Sequence, residues 1–103
     1  MQVEAKEQVF SVLRTHHSAL RRFGVRRYGL FGSFIRDEQH QESDVDILVE
    51  FEPHQKSFQH YMQLAFFLED LLGRNVDIVT PESLSPYIGP RILDEVEYVA
   101  VSA

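Results

Sequence analysis

The segment Val45–Phe51 constrains the fold of this chain more than any other part of the sequence. One face has the apolar side chains of Val45, Ile47, Val49 and Phe51, and the opposite face has Asp46, Leu48 and Glu50. Alternation of this kind is typical of a β-strand with one buried face. Such a strand needs neighbouring strands and a covering layer of helices, so an α/β domain is expected.

Two longer segments have the apolar spacing of amphipathic helices, with an inward side chain every three or four residues. The first covers residues 4–23 and ends at Gly24, and the second begins at the capping residue Ser57 and ends before Gly73. The inward positions expected in the first are Val9, Val12, Leu13, His16, Leu20 and Phe23. Those expected in the second are Phe58, Tyr61, Met62, Ala65, Leu68, Leu71 and Leu72.

Shorter elements complete the predicted order. The segment between Pro81 and Gly89 is expected to be irregular. The whole order predicts a small mixed β-sheet flanked by helices, in a single domain that spans residues 1–103. The remaining predicted elements are strands at 25–31, 76–79 and 98–101, a short helix at 34–38 that starts at Ser33, and a last helix from Pro90 to about residue 96.

The charge balance and the amino-acid composition narrow the expected partners and location. With 16 acidic and 10 basic residues the formal net charge is -6, which argues against a general nucleic-acid surface or a direct template. The chain has no cysteine, which excludes disulfides and thiolate metal sites. The longest uncharged run, residues 57–68, is too short to span a bilayer. No apolar secretory signal is present at the N-terminus, so a cytoplasmic protein without a membrane segment is expected.

Three carboxylates are candidate metal ligands. Asp44 and Asp46 are two positions apart at the start of the Val45–Phe51 strand, so their side chains are expected on the same side, about 7 Å apart at a rise of ~3.3 Å per residue. Two such carboxylates repel each other unless a cation lies between them, and oxygen ligands suit Mg²⁺. Asp77 lies in the next predicted strand and supplies a third acid if the two strands are neighbours.

A candidate phosphate site precedes these acids. Gly32 allows phosphate to approach the backbone at the end of a predicted strand, and Ser33 adds a hydroxyl and the free amides of a helix start. Arg36, one turn later, is a fork-shaped donor to the same phosphates. Each signal alone is weak, because a Gly-Ser pair is usually a turn and an Asp-x-Asp pair is usually exposed. Together they describe a phosphoryl or nucleotidyl transfer site.

The run Gly32-Ser33-Phe34, followed by Ser43-Asp44 and the strand Val45–Phe51, resembles the signature of the DNA polymerase β-like nucleotidyltransferase superfamily. More closely, it is similar to the minimal nucleotidyltransferases, antitoxins that are encoded beside HEPN-domain ribonuclease toxins. The resemblance covers nearly the whole chain. It implies a polymerase β-like nucleotidyltransferase core and an ATP-using enzyme.

The resemblance also implies roles for the candidate residues. Gly32 and Ser33 would hold the triphosphate, and Arg36 matches an arginine that is common in such motifs. Asp44 and Asp46 would bind two Mg²⁺ ions. A third carboxylate would act as metal ligand or as base for the attacking hydroxyl, and this position is occupied by Asp77.

The acceptor implied by the resemblance is a tyrosine of the toxin, which is silenced by addition of AMP, so a hetero-oligomer of this chain with a HEPN-type toxin is expected. The alternative is a non-catalytic antitoxin that neutralises its partner by direct binding. Transfer to a small molecule ranks lower, because enzymes of that kind generally have an additional domain for the acceptor. Nucleotide preference, the acceptor residue and the stoichiometry are not determined by the sequence.

Other conspicuous residues have ordinary structural explanations. The histidines do not have the paired spacing of metal ligands. Most of the aromatic side chains in the second long helix are expected in the core or on a helix face, and Phe66 is expected to be exposed; the group is Phe58, Tyr61, Phe66 and Phe67. One hypothesis is that Tyr87 lies near the nucleotide base. A basic cluster is either a solvated surface or a docking site for an acidic partner or phosphate. It consists of Arg21, Arg22, Arg26 and Arg27.

Overall fold

A four-stranded mixed sheet lies at the centre of the structure, a computed structural model that describes residues 2–101. The strands are arranged in the order β3-β2-β1-β4. β1 is antiparallel to β2 and to β4, whereas β2 and β3 are parallel. The predicted mixed sheet is confirmed, with the predicted bounds for its first three strands. These strands are β1 (Val25–Phe31), β2 (Val45–Phe51), β3 (Val76–Val79) and β4 (Glu97–Ala100).

Three helices pack on one face of this sheet: α1 (Lys6–Thr15), α2 (His17–Arg22) and α3 (Phe58–Leu72). A short 3-10 turn at Pro81–Ser83 and a last helix, α4 (Gly89–Glu95), follow β3. The core forms where the apolar face of β2 meets the helices. It includes Val9 and Leu13 of α1, Leu20 of α2, Val45, Ile47 and Val49 of β2, and Leu64, Leu68 and Leu72 of α3. None of the helices among residues 2–101 is both long and apolar enough to cross a membrane.

The single helix predicted at 4–23 is wrong, because the chain breaks at His16 between α1 and α2. The carbonyl of Val12 is the cause. It accepts a hydrogen bond from Thr15 Oγ1 at 2.8 Å and lies 2.8 Å from His16 Nδ1. The His16 amide donates to Leu13 O instead, and local side-chain bonds of this type compete with the regular helical ladder. The apolar stripe continues through the break.

The helix predicted at 57–72 is confirmed. Ser57 Oγ accepts a hydrogen bond from the His60 amide at 3.1 Å, and Gly73 ends α3 in the left-handed conformation with φ 69°. The inward position predicted for Phe58 is wrong, since this side chain is 80% exposed. Phe58 is the first residue of the helix, and the first fully buried position on its inward face is Leu64.

The short helix predicted at 34–38 is also wrong, because the segment is a series of turns. Glu38 N donates to Ser33 O at 2.8 Å, and Asp37 has a positive φ of 60°, which no helix can continue. The segment is held by Phe34, whose side chain is 1% exposed. A buried aromatic anchor therefore fixes the path of this loop, which keeps a single α-helical bond, from Arg36 N to Gly32 O at 3.1 Å.

The second face of the sheet is covered by the chain that follows β3. Val96, directly after α4, lies so close to Gly29 of β1 that no side chain would fit there. Leu48, opposite Gly29 in the β1–β2 pair, is fully buried. This cover ends near the start of β2, so the carboxylates at that end of the strand remain at the surface of the second face.

Candidate active site

Two carboxylates lie opposite each other where β2 and β3 begin. In the parallel register Asp46 pairs with Asp77, so both side chains emerge on the same face of the sheet. Asp46 is half-buried, and Asp77 is exposed. Asp44 lies just before β2 and is also exposed. β3 is the neighbour of β2 in the sheet, so Asp77 lies beside Asp46, as expected for neighbouring strands.

The pKa of Asp46 reflects this concentration of negative charge. Burial is the largest cause, and the charges of Asp77 and then Asp44 add to it, raising the pKa of Asp46 to about 6. Arg36 acts in the opposite direction, and Glu95 adds a further small increase. The ionised form of Asp46 is therefore poorly compensated by the protein alone.

A divalent cation would supply the missing positive charge. Within residues 2–101, no three His, Cys, Asp or Glu side chains converge closely enough to hold a metal ion by themselves. Mg²⁺ does not require such a cage, because it typically takes one or two carboxylates and completes its shell with water and phosphate. The carboxylates of Asp46 and Asp77, which are paired in register, fit that ion by their donor chemistry, and Asp44 is close enough to affect the pKa of Asp46.

Gly32 brings the backbone against these carboxylates. It follows β1 directly, next to the Phe31–Asp46 pair, and has φ 77°, a conformation that favours glycine. A Cβ atom at Gly32 would overlap the carboxylate of Asp46. Glycine is therefore required here both for its backbone conformation and for the close approach.

Ser33 is half-buried at the start of the turn. Its carbonyl accepts from Glu38 N, and it does not cap a helix because none forms. In the part of the chain that the structure describes, the Ser33 and Phe34 amides donate to no protein acceptor. The turn consequently offers unpaired amides close to Gly32, as the predicted helix start was expected to do.

Glu95 was not identified from the sequence, yet it forms hydrogen bonds with two of the candidate site residues. Gly32 N donates to Glu95 Oε2 at 2.7 Å. Arg36 Nη1 donates to both Glu95 oxygens, at 3.0 and 3.2 Å, and Arg36 Nε donates to Glu38 at 2.7 Å. These bonds raise the pKa of Arg36, first through Glu38 and then through Glu95. An acid near the end of a short helix gives no sequence signal of such a role.

A cavity of about 260 Å³ adjoins Gly32. Its wall combines apolar side chains from β1 and α4 with two arginines. Tyr87, placed near the nucleotide base in the sequence-based hypothesis, does not line it, and its side chain is 88% exposed. The lining residues are Phe31, Gly32, Arg36, Ile88, Arg91, Ile92 and Glu95.

Arg74 is a second residue that the sequence did not reveal. Its side chain is buried, with Nε donating to Val3 O at 2.6 Å. Its Nη1 atom donates to the carbonyls of His40, Gln41 and Ser43, at 2.9, 3.1 and 3.0 Å. Because Ser43 precedes Asp44, Arg74 fixes the path of the loop that carries this carboxylate into the site.

Two of the four arginines in the basic cluster share one acidic partner. Arg26 and Arg27 both form ion pairs with Glu50, at 2.9 and 2.6 Å. The pKa of Glu50 is lowered, chiefly by the hydrogen bond from Arg27, although burial acts in the opposite direction. Arg21 and Arg22 remain exposed at the end of α2. The pairing favours the interpretation of Arg26 and Arg27 as a solvated surface network.

The chain is similar to known proteins over most of its length. Residues 13–99 match the family model described as a nucleotidyltransferase domain. Protein adenylyltransferase MntA of Thermococcus cleftensis is 47% identical over 94 residues, which cover 90% of this chain and 94% of the relative. A solved structure of a proposed minimal nucleotidyltransferase is 34% identical, with a TM-score of 0.70 over 87% of this chain and 92% of that chain.

A crystal structure of a toxin–antitoxin with AMP-PNP has the same fold. Its TM-score is 0.62, with 23% sequence identity over 80% of this chain and 70% of that chain. At this level of identity the likeness supports a shared fold and no more.

Proposed function

Because this chain belongs to the nucleotidyltransferase domain family, as one of its minimal nucleotidyltransferases, we propose that it transfers AMP from ATP to a cognate toxin protein and so acts as an antitoxin. The enzyme class follows from the family, since the relative from Thermococcus cleftensis is a protein adenylyltransferase. The toxin partner and the nucleotide are inferred from the related fold of a toxin–antitoxin with AMP-PNP. We propose that residues 1–103 form a single catalytic domain and that the partner is a HEPN-type ribonuclease.

The observation that carries the proposal is the juxtaposition of Asp46, Asp77 and Gly32. Two carboxylates face each other across parallel strands, and the backbone of Gly32 lies against one of them. A metal-bound triphosphate needs carboxylate ligands for its metal and amides for its phosphate oxygens within a few ångströms of each other. We assign the triphosphate to Gly32 and Ser33, with Arg36 as an additional donor.

The proposed reaction uses the three carboxylates. Asp44, Asp46 and Asp77 would hold Mg²⁺, with two ions expected; when bound, the metal neutralises the phosphate charge and favours attack at phosphorus. Asp77 is exposed at the outer edge of the sheet, and its proposed role is either that of a metal ligand or that of the base that receives the proton of the acceptor hydroxyl. The tyrosine oxygen of the toxin forms a bond to the α-phosphorus of ATP, the bond to the β-phosphate oxygen breaks, and pyrophosphate leaves.

The alternative is an antitoxin that acts by binding alone. The two functions are separated by incubating the protein with its co-purified partner, Mg²⁺ and ATP labelled at the α-phosphate. Asp46→Asn removes a proposed ligand, and Asp70→Asn, an exposed acid on α3, is the matched control with the same loss of charge.

Label on the partner that is lost with Asp46→Asn and kept with Asp70→Asn supports adenylylation. Equal labelling by Asp46→Asn overturns the catalytic assignment. If Asp46→Asn transfers no label but still protects cells from the toxin as well as the wild type does, neutralisation is by binding. Mass spectrometry of the labelled partner identifies the acceptor residue and tests the tyrosine.

A further inference from the structure

Glu95 occupies donors that a phosphate group would use. One of its oxygens accepts the Gly32 amide at 2.7 Å, and both accept from Arg36, at 3.0 and 3.2 Å. The Glu95 side chain is only 25% exposed, so these charge-assisted bonds are partly shielded from water. A carboxylate thus stands where the proposed function places an anion of the nucleotide.

We propose that Glu95 is an internal competitor of the triphosphate, which has to leave Gly32 and Arg36 before a nucleotide binds there. This inference rests on the proposed function, since it assumes that these two residues receive phosphate. A single N–H group of Gly32 cannot serve both a carboxylate and a phosphate oxygen at 2.7 Å. Glu95 therefore determines nucleotide affinity without touching the reacting atoms.

The surroundings provide for the displaced carboxylate. Arg91 precedes Glu95 by four residues in α4, so the two side chains are neighbours on one face of the helix. Both line the cavity next to Gly32, and Arg91 forms no ion pair in the part of the chain that the structure describes. Glu95 can turn to Arg91, while Arg36 stays held by Glu38 at 2.7 Å. Neither charge is then left unpaired.

The charge of Glu95 acts in the same direction as its hydrogen bonds. It adds to the negative potential around Asp46, which an incoming triphosphate has to overcome. A polyphosphate carries more charge and more acceptor oxygens than one carboxylate, so it can replace Glu95 at Gly32 and Arg36. A ligand without phosphate gains nothing from displacing it.

The test compares the wild type with Glu95→Gln by isothermal titration with AMP-PNP and Mg²⁺. Glutamine keeps the shape and an oxygen that accepts from Gly32, but it loses the charge that binds Arg36. We expect Glu95→Gln to bind AMP-PNP about tenfold more tightly, as the loss of one charged hydrogen-bond competitor suggests. Asp94→Asn, an exposed acid on the same helix, is the control and should change the affinity less than about twofold.

Two further probes localise the effect. Inorganic triphosphate should show the same gain with Glu95→Gln, and adenosine should show none. Weaker binding by Glu95→Gln, or a change equal to that of Asp94→Asn, overturns the inference while leaving the proposed function intact. If no variant binds AMP-PNP and thermal melts show that all are folded, the proposed function fails and the competition by Glu95 fails with it.

Discussion

Gly32 and Asp46 are in such close contact that a methyl group on the glycine would overlap the carboxylate of the aspartate. The contact forms where β1 has ended at Phe31, directly opposite Asp46 in the antiparallel pair. The pairing with Phe31 fixes the position of Asp46, and the next residue of the chain, Gly32, brings its backbone amide beside that acid. The proposed phosphate-binding turn at the end of β1 and a proposed metal ligand at the start of β2 are therefore in direct contact.

Gly32→Ala is expected to damage both the fold and the activity. The positive φ and the overlap with Asp46 should cost about 2 kcal/mol of stability, and displacement of the carboxylate should lower transfer by about 100-fold. Urea unfolding and the labelling assay measure the two effects. Gly89→Ala is the control, because Gly89 has no positive φ and a Cβ atom added there would lie 3.2 Å from Leu84 Cβ, a much milder contact. Equal effects of both substitutions would contradict this explanation.

Asp46→Asn should abolish transfer and stabilise the metal-free protein at pH 7. The folded pKa of Asp46, about 6, lies above the ordinary value of 3.8. Protonation of Asp46 therefore stabilises the folded state. This stabilisation is complete at pH values below the ordinary pKa and is lost as the pH rises through about 6. We expect the substitution to add about 1 kcal/mol at pH 7, after discounting the shift for partial exposure.

Thermal melts in EDTA between pH 4 and pH 8 test this sign. Wild-type protein should lose stability relative to Asp46→Asn as the pH rises between the two pKa values. A constant difference between the two proteins over the whole range would show that Asp46 does not titrate as described.

Mg²⁺ and protons should compete for the acidic cluster. Metal binding requires ionised carboxylates, so the Mg²⁺ concentration for half-maximal transfer should rise about tenfold per pH unit once the pH is well below the pKa of Asp46, about 6. The measurement is the rate of labelling as a function of Mg²⁺ at several pH values. A requirement for Mg²⁺ that is independent of pH from 5 to 7 would argue against Asp46 as a ligand.

Arg74→Met should loosen the loop that leads to Asp44. Loss of the guanidinium leaves the carbonyls of Val3, Gln41 and Ser43 without their donor, at a cost of about 3 kcal/mol. Hydrogen exchange should increase in residues 40–44 more than in β1. Arg74→Lys keeps the charge but not the fork of donors, so it should recover only part of the stability.

Local sequence patterns predicted much of this fold because each acts within a few residues. The alternation in β2, the cap at Ser57 and the left-handed Gly73 are such signals, and each corresponds to a hydrogen bond or backbone angle in the structure. The proximity of Asp46 and Asp77 required one further assumption, that β2 and β3 are neighbours. The parallel pairing of these strands meets it.

The remaining features depend on contacts that no local pattern contains. Glu95 and Gly32 are 63 residues apart in sequence, and Arg74 is 31 residues from Ser43. The break at His16 arises from competition for one carbonyl, which leaves the apolar spacing of the helices unchanged. The helix predicted after Ser33 does not form, and the course of this segment depends instead on the burial of Phe34 by tertiary packing.

Arg74 recognises the loop before Asp44 only through main-chain oxygens, those of His40, Gln41 and Ser43. Any amino acid supplies such an oxygen, so exchange of a side chain in this loop leaves the bonds from Arg74 in place. The surface beside the acids can therefore diversify without disturbing Asp44. In a family of enzymes that each recognise a different partner, this arrangement would allow the specificity to change while the catalytic residues stay in place.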